Sequence, residues 1–385
     1  MTLRSLQIGM GWFPECPGGL NRVFEHLVRE LAAQGTLVTG LVTGSSDAAR
    51  ATNGRVRAFA PTRAPMARRL AAVRTAAAPW LRASFGPHEP AVVAAHFALH
   101  TYPLLGQLAH HPLVVHFHGP WALESLEEGS SRVTASMKEY VERAVYRRAD
   151  AAIVLSAAFA QLLETRFHVP ADRIHVIPGG VELGRFASSR PRTDVRRELG
   201  WPTDRPVVLC VRRLVRRVGL DILVDAAALV RARVPDVLFL LAGTGPMYAE
   251  LDARIVAAGL ADTVRLVGFV PDAQLPLAYR AADLTVVPSI ALEGFGLVTA
   301  ESLAAGTPAI VTPVGGLTDV IAPLAPSLVA RAATAPGLAA VITDTLLGAI
   351  PRPSDDACAA YARDRFAWPV IARKTRDVYL EAAAR

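Results

Sequence analysis

Two α/β domains built on parallel sheets are the fold class this sequence predicts. Three observations lead there. Strand-like and helix-like segments alternate along the whole chain, the pattern of parallel strands joined by crossover helices. The 385 residues suffice for two ordinary domains with full cores. A composition of 52% hydrophobic and 19% charged residues fits a soluble α/β protein.

The elements follow in chain order. Met1-Thr2-Leu3-Arg4-Ser5-Leu6-Gln7-Ile8 reads as a first strand, its apolar part too short for a signal peptide. The loop 11–19 leads into a helix over 20–34, where Leu20, Val23, Phe24, Leu27, Val28 and Leu31 recur on one face. Gly35 is its natural stop. Strands are expected at 37–42, 91–95, 113–117 and 151–155, making one Rossmann-like half. Residues 64–85 read as an Ala-rich, basic helix carrying Arg68, Arg69, Arg74 and Arg82. Two readings stand for it: a solvated flank, or weak contact with an anionic membrane surface. The run Ile174 to Glu182 reads as a strand entering a hinge, and 185–204, weak in apolar pattern, as a linker. A second half starts with the strand 207–211 and continues with strands at 238–242, 264–267, 284–287 and 309–311. A last helix holds Trp368, Val370, Ile371 and Tyr379.

Bulk properties exclude several function classes. No apolar run reaches the roughly 18 residues of a membrane span, and a cytoplasmic location is the default expectation. Cys16, Cys210 and Cys358 form neither a metal spacing nor an even disulfide set, so reduced structural thiols are expected. The net charge of +7 is nearly all Arg, since Lys138 and Lys374 are the only lysines. Arg forks suit phosphates, and a solvated basic surface is the alternative. No zinc spacing or aromatic ribonucleoprotein motif accompanies the charge, so nucleic acid is not an expected partner.

The segment from Pro288 to Glu301 is the richest in chemistry. Glu293 and Glu301 lie eight residues apart, with Gly294-Phe295-Gly296 directly after the first. An apolar strand leads in and a helical pattern follows, so backbone N–H groups at a helix start are offered to an anion. A carboxylate cannot attract a phosphate, so the two glutamates are expected to grip hydroxyls. Hydroxyls flanking a phosphate describe a nucleotide sugar.

Several segments then match one family in order. They are Pro17-Gly18-Gly19, Val115-His116-Phe117-His118-Gly119, Val176 to Val181, Val211-Arg212-Arg213-Leu214 with Gly219, Ala242-Gly243-Thr244-Gly245-Pro246, Gly268-Phe269-Val270, Glu293 to Glu301, and Ala305-Gly306-Thr307-Pro308. With these the chain resembles the retaining family 4 glycosyltransferases of the GT-B fold. The resemblance implies two Rossmann-like domains facing across a cleft. The first, 1–184, is on the acceptor side. The second, 185–365, binds the nucleotide sugar. A C-terminal helix, 366–385, packs back toward the first. It implies no cofactor and no metal, in line with the absence of an Asp-x-Asp motif.

The resemblance also carries roles. Glu301 is similar to the ribose-binding carboxylate and Glu293 to the one that grips the transferred sugar. Gly294, Phe295, Gly296 and Leu297 would turn N–H groups toward the diphosphate, and Arg213 would bind it and stabilise the departing charge. Catalytic roles thus fall to His118, Arg213 and Glu293, with His118 facing the donor sugar and His116 a packing residue. Gly18 and Gly19 would approach the diphosphate and acceptor, Gly243 and Gly245 would line the nucleotide site, and Phe269 and Val270 would sit near the base. The family usually has Lys where this chain has Val218, so one expected cation is missing; Arg216 or Arg217 would reach in from the same loop, or the site runs with one fewer.

The expected reaction is transfer of a sugar, with retention, from a nucleoside diphosphate donor (uridine favoured) to a hydroxyl of a glycan, lipid or small metabolite. Two rivals remain: a nucleotide-sugar epimerase on the same fold, which needs no acceptor, and a non-catalytic nucleotide-sugar binder.

Overall fold

The computed structural model describes residues 2–83 and 90–385. Met1, and Ser84 and Phe85 at the end of the expected helix 64–85, lie outside the described residues. The chain forms two compact units, Met1–Gly179 with Trp368–Arg385, and Gly180–Ala367.

Among the described residues the first unit holds seven strands: β1 (Arg4–Gly11), β2 (Leu37–Thr43), β3 (Val56–Ala60), β4 (Ala91–Ala95), β5 (Leu113–Phe117), β6 (Ala151–Val154) and β7 (Ile174–Val176). They pair in parallel in the order β3-β2-β1-β4-β5-β6-β7. The order reverses between β1 and β4, where loops at the carboxyl ends diverge and leave room for a ligand. Leu6, Ile8, Val93, Ala95, Val115, Phe117 and Val154 form the core of the sheet. The strand β3 escapes the sequence pattern because Arg57 interrupts it and Phe59 is only half-buried.

The helix Gly19–Ala33 packs on the C-terminal helix Trp368–Ala384. His26 stacks on Trp368 at 5.2 Å, and Gln34 donates to the Pro369 carbonyl at 2.9 Å. The basic helix Met66–Ala83 buries Val73, Ala77 and Leu81, leaving Arg68, Arg74 and Arg82 exposed. Val73, Ala77 and Leu81 belong to the hydrophobic core of the first unit. Among the described residues no helix is long and apolar enough to cross a membrane.

The second unit holds β8 (Val207–Val211), β9 (Leu238–Ala242), β10 (Val264–Gly268), β11 (Leu284–Val287) and β12 (Ala309–Val311). They form a parallel sheet in the order β10-β9-β8-β11-β12, with the reversal between β8 and β11. The expected linker 185–204 is instead structured and integral to this unit. Its helix Arg192–Leu199 packs on the helix Leu275–Ala281 through Val195 and Arg196. Arg196 is 4% exposed, donating to the carbonyls of Ala281 and Arg205 and pairing with Asp283 at 2.6 Å. A buried Arg reads as polar in a hydropathy pattern, which is why the segment looked like a linker.

Candidate functional site

In the second unit the chemistry gathers at the carboxyl ends of β8 and β11, the two strands beside the reversal. β11 ends at Val287 and the chain turns through Pro288 to Gly296 before the helix Leu297–Ala304 begins. Glu293 is buried in that turn. Its Oε2 pairs with the Arg212 guanidinium and accepts from Ser289 Oγ at 3.0 Å. Burial pushes its pKa up, but the Arg212 charge, the bonds from Arg212 and Ser289 and the Arg217 charge outweigh that and hold it below the ordinary range. Glu293 is thus an ionised acceptor at neutral pH.

The backbone around Glu293 is over-determined. Leu292 adopts a left-handed φ of 50°, a conformation that costs a non-glycine residue energy and persists only where its surroundings hold it. Gly316 N–H donates to the Glu293 carbonyl at 2.9 Å, and a Cβ on Gly315 would lie 1.8 Å from that oxygen. The helix Leu297–Ala304 starts after Gly296, which has a φ of 74°. No side chain caps it and no acidic residue sits in its first turn, so its leading N–H groups suit an anion. Phe295 contributes only backbone, since its ring packs on Phe366 at 5.3 Å. Glu301 follows on the same helix and accepts from the buried Tyr279 hydroxyl at 3.0 Å.

The loop after β8 faces this turn. Ile290 N–H donates to the Arg217 carbonyl at 3.0 Å, and Arg217 Nη1 donates to the Leu292 carbonyl at 3.3 Å. Arg216 is exposed and diverted to Glu250 at 2.9 Å. Of the two arginines held open as replacements for the missing cation, the geometry brings Arg217 to Glu293 and sends Arg216 away. Val218 is 2% exposed and belongs to the core. Arg213 is exposed. Gly243 and Gly245 back onto this loop: a Cβ on them would lie 1.9 Å from the Arg212 carbonyl and 2.4 Å from that of Leu214. Close backbone packing thus already demands both glycines. Gly243 N–H bonds the Gly268 carbonyl at 2.7 Å, which puts Phe269 and Val270 beside the same loop. Phe269 is 71% exposed, an apolar ring face open to a flat partner.

In the first unit, Gly18 and Gly19 are exposed at the start of the helix Gly19–Ala33, which also lacks a side-chain cap. Asn21 ties the preceding loop together, accepting from Gly11 N–H at 3.1 Å and donating to the Cys16 carbonyl at 2.9 Å. His118 follows β5 and is half-buried; burial lowers its pKa to about 4. Its Nε2 lies 3.1 Å from His96 Nδ1, at the end of β4. His96 Nε2 in turn lies 2.8 Å from Gln7 Oε1, which also accepts from Tyr379 at 3.2 Å. His116 packs as expected, buried against Tyr379 at 2.6 Å.

Sequence reading missed Arg212, Ser289, Gly315 and Tyr279 in the second unit, and Gln7, His96 and Tyr379 in the first. Arg212 directly precedes an arginine that drew attention to itself, and Gln7, as a polar residue inside a strand, was the one legible signal among the others. Among the described residues no group of three or more His, Cys, Asp or Glu side chains could hold a metal ion. The free thiols of Cys210 and Cys358 are buried, which pushes each pKa up to about 12 and leaves them structural.

Two parallel-sheet units, each with polar groups at its strand reversal, define a GT-B fold. Solved structures agree. HepE of Anabaena in complex with UDP and glucose superposes with a TM-score of 0.75 at 21% identity, covering 97% of this chain and 98% of that one. Sucrose-phosphate synthase of Thermosynechococcus elongatus does so with a TM-score of 0.77 at 24% identity, covering 100% of both. The family model Glycosyltransferase Family 4 matches residues 17–185, and Glycosyl transferases group 1 matches 191–365. The chain belongs to the family 4 glycosyltransferases. It is 34% identical over 269 residues to D-inositol 3-phosphate glycosyltransferase of Thermobispora bispora, covering 63% of this chain and 59% of that protein. It is 30% identical over 225 residues to 2-deoxystreptamine glucosyltransferase of Streptomyces kanamyceticus, covering 58% of this chain and 57% of that protein. The matches thus span less than two thirds of the length of these curated relatives.

Proposed function

We propose that this chain transfers a sugar from a nucleoside diphosphate donor to a hydroxyl acceptor, with retention and without a metal. The observation that carries the reading is the segment Glu293–Glu301: an ionised, buried carboxylate, an uncapped helix start and a second carboxylate on that helix. Glu293 accepts from hydroxyls of the transferred sugar and Glu301 from the ribose. The N–H groups of Gly294 to Leu297 take the diphosphate, with Arg213 and Arg217 as its cations. Phe269 and Val270 lie against the base, which is uracil first; the UDP bound by HepE supports that choice.

In the reaction the bond from the anomeric carbon to the diphosphate breaks, and the acceptor oxygen bonds to that carbon from the same face. The acceptor proton passes to the departing diphosphate. Among the described residues we assign none as a sugar nucleophile, so catalysis rests on positioning and on charge stabilisation. A small-metabolite acceptor draws support from the curated relatives named for inositol phosphate and 2-deoxystreptamine.

A second reading, a nucleotide-sugar binder without transfer, is favoured by one observation: Val218 fills a core position where the family carries a cation. A screen of nucleoside diphosphates and their sugars, followed by a product assay with the best donor, separates the two. Transfer to any acceptor supports the enzyme; tight donor binding with no product across glycan, lipid and metabolite acceptors sinks it. Arg217→Ala should lower kcat about 10- to 100-fold by removing a charge-assisted contact, with the fold intact.

A further inference from the structure

His96, at the end of β4, is 3% exposed. It is buried between the rings of His116, stacked at 4.1 Å, and Phe24, edge-on at 5.1 Å. Both its nitrogens are used, one on His118 and one on Gln7.

The polarity of the chain of bonds follows from the placement of the Gln7 amide, which turns Oε1 toward His96 and Tyr379 and leaves its buried Nε2 without a partner among the described residues. Gln7 Oε1 has no hydrogen to give, so His96 Nε2 carries a proton and donates to it. The Tyr379 hydroxyl also donates to Oε1. Its oxygen then accepts from His116 Nε2–H. A neutral His96 protonated on Nε2 has a lone pair on Nδ1, and burial keeps this ring neutral. Among the described residues the group facing that lone pair is His118 Nε2, at 3.1 Å, which therefore carries the proton. His118 Nδ1 is left with a lone pair and no hydrogen-bond partner among the described residues.

We propose that His96 is a positioning residue that locks His118 as the Nε2–H tautomer, so that His118 Nδ1 acts only as a hydrogen-bond acceptor, for a hydroxyl of a sugar substrate. The lock is anchored by Gln7 on the strand β1 and Tyr379 on the C-terminal helix. An outer partner that fixes a tautomer and a ring orientation is a known way to tune a working histidine. The substrate half of the proposal rests on the glycosyl-transfer reading; the tautomer half does not.

The test uses full-length protein labelled with ¹⁵N-histidine and needs no substrate for its first part. Wild-type His118 should show a single Nε2–H tautomer near pH 7.5. His96→Leu should release it to a mixture, and His96→Asn, whose amide oxygen replaces Nδ1, should restore it. Where His96→Leu does not fold, Gln7→Leu serves, since it frees the tautomer of His96 and through it that of His118. An Nδ1–H tautomer or a mixture in the wild type overturns the proposal, as does a single Nε2–H tautomer surviving in His96→Leu or Gln7→Leu. In the product assay, His96→Leu should lower kcat about 10- to 100-fold with the donor KM changed less than about threefold, and His96→Asn should recover most of it. Sugar substrates carrying fluorine in place of the hydroxyl that His118 holds should react as poorly as their deoxy counterparts. A fluoro substrate that keeps full activity while every deoxy substrate fails contradicts the acceptor role. If no donor is transferred at all, the glycosyl-transfer reading fails while the tautomer result still stands or falls on its own.

Discussion

Arg212 and Glu293 set the character of the candidate site at the residue scale. A buried carboxylate alone would take up a proton; the adjacent guanidinium and Ser289 keep it charged. Removing one partner of such a pair costs about 3–5 kcal/mol, because the other charge is left buried. Arg212→Ala should therefore destabilise the second unit by that amount in urea unfolding. The sign for pH follows from the depressed pKa of Glu293. Its contribution is present above the unfolded carboxylate value and is lost as pH falls through the folded one. Without Arg212 the folded pKa rises, so the acid limb of the activity profile should move to higher pH; an unmoved limb would mean Glu293 titrates independently of Arg212.

At the scale of elements, the turn from Pro288 to Gly296 is held from outside, by Gly315 and Gly316 on the Glu293 carbonyl and by the loop carrying Arg217. Gly315→Ala would set a methyl 1.8 Å from that carbonyl, at a φ of 56°. It should cost several kcal/mol in stability or displace Glu293, seen as lost activity with an otherwise folded protein; a fully active, fully stable variant would show the clamp to be dispensable.

This contrast marks what the sequence could and could not reveal. Glu293, Glu301 and the glycine turn were legible because their chemistry lies in local order, strand then turn then helix. Long apolar strands such as β5, β8 and β9 were legible for the same reason. Arg212 and Tyr279 were not, since their meaning comes from contacts across 81 and 22 positions of chain that no periodicity encodes. The helix Arg192–Leu199 was hidden by the very arginine that anchors it.

On the scale of the whole molecule, the C-terminal helix belongs to the first unit and delivers Tyr379 to the histidine network. Burial lowers the pKa of His96, His116 and His118 alike, to about 4 for His118. Neutral burial contributes stability that is present above the unfolded imidazole value near 6.5 and is lost as pH falls through the folded values. The shift of His118 alone corresponds to roughly 3 kcal/mol. Stability should thus fall steeply between about pH 6.5 and 4, and His118→Gln should flatten that slope when thermal unfolding is followed across pH.

The central claim, that Glu301 and the helix bearing it grip a nucleotide, is met most directly by calorimetric titration of UDP, GDP and ADP into the wild type and Glu301→Ala. One nucleotide should bind the wild type, UDP first, and lose about 10- to 100-fold in affinity in the variant. A wild type that binds none of them, or a variant that binds as tightly as the wild type, would contradict it.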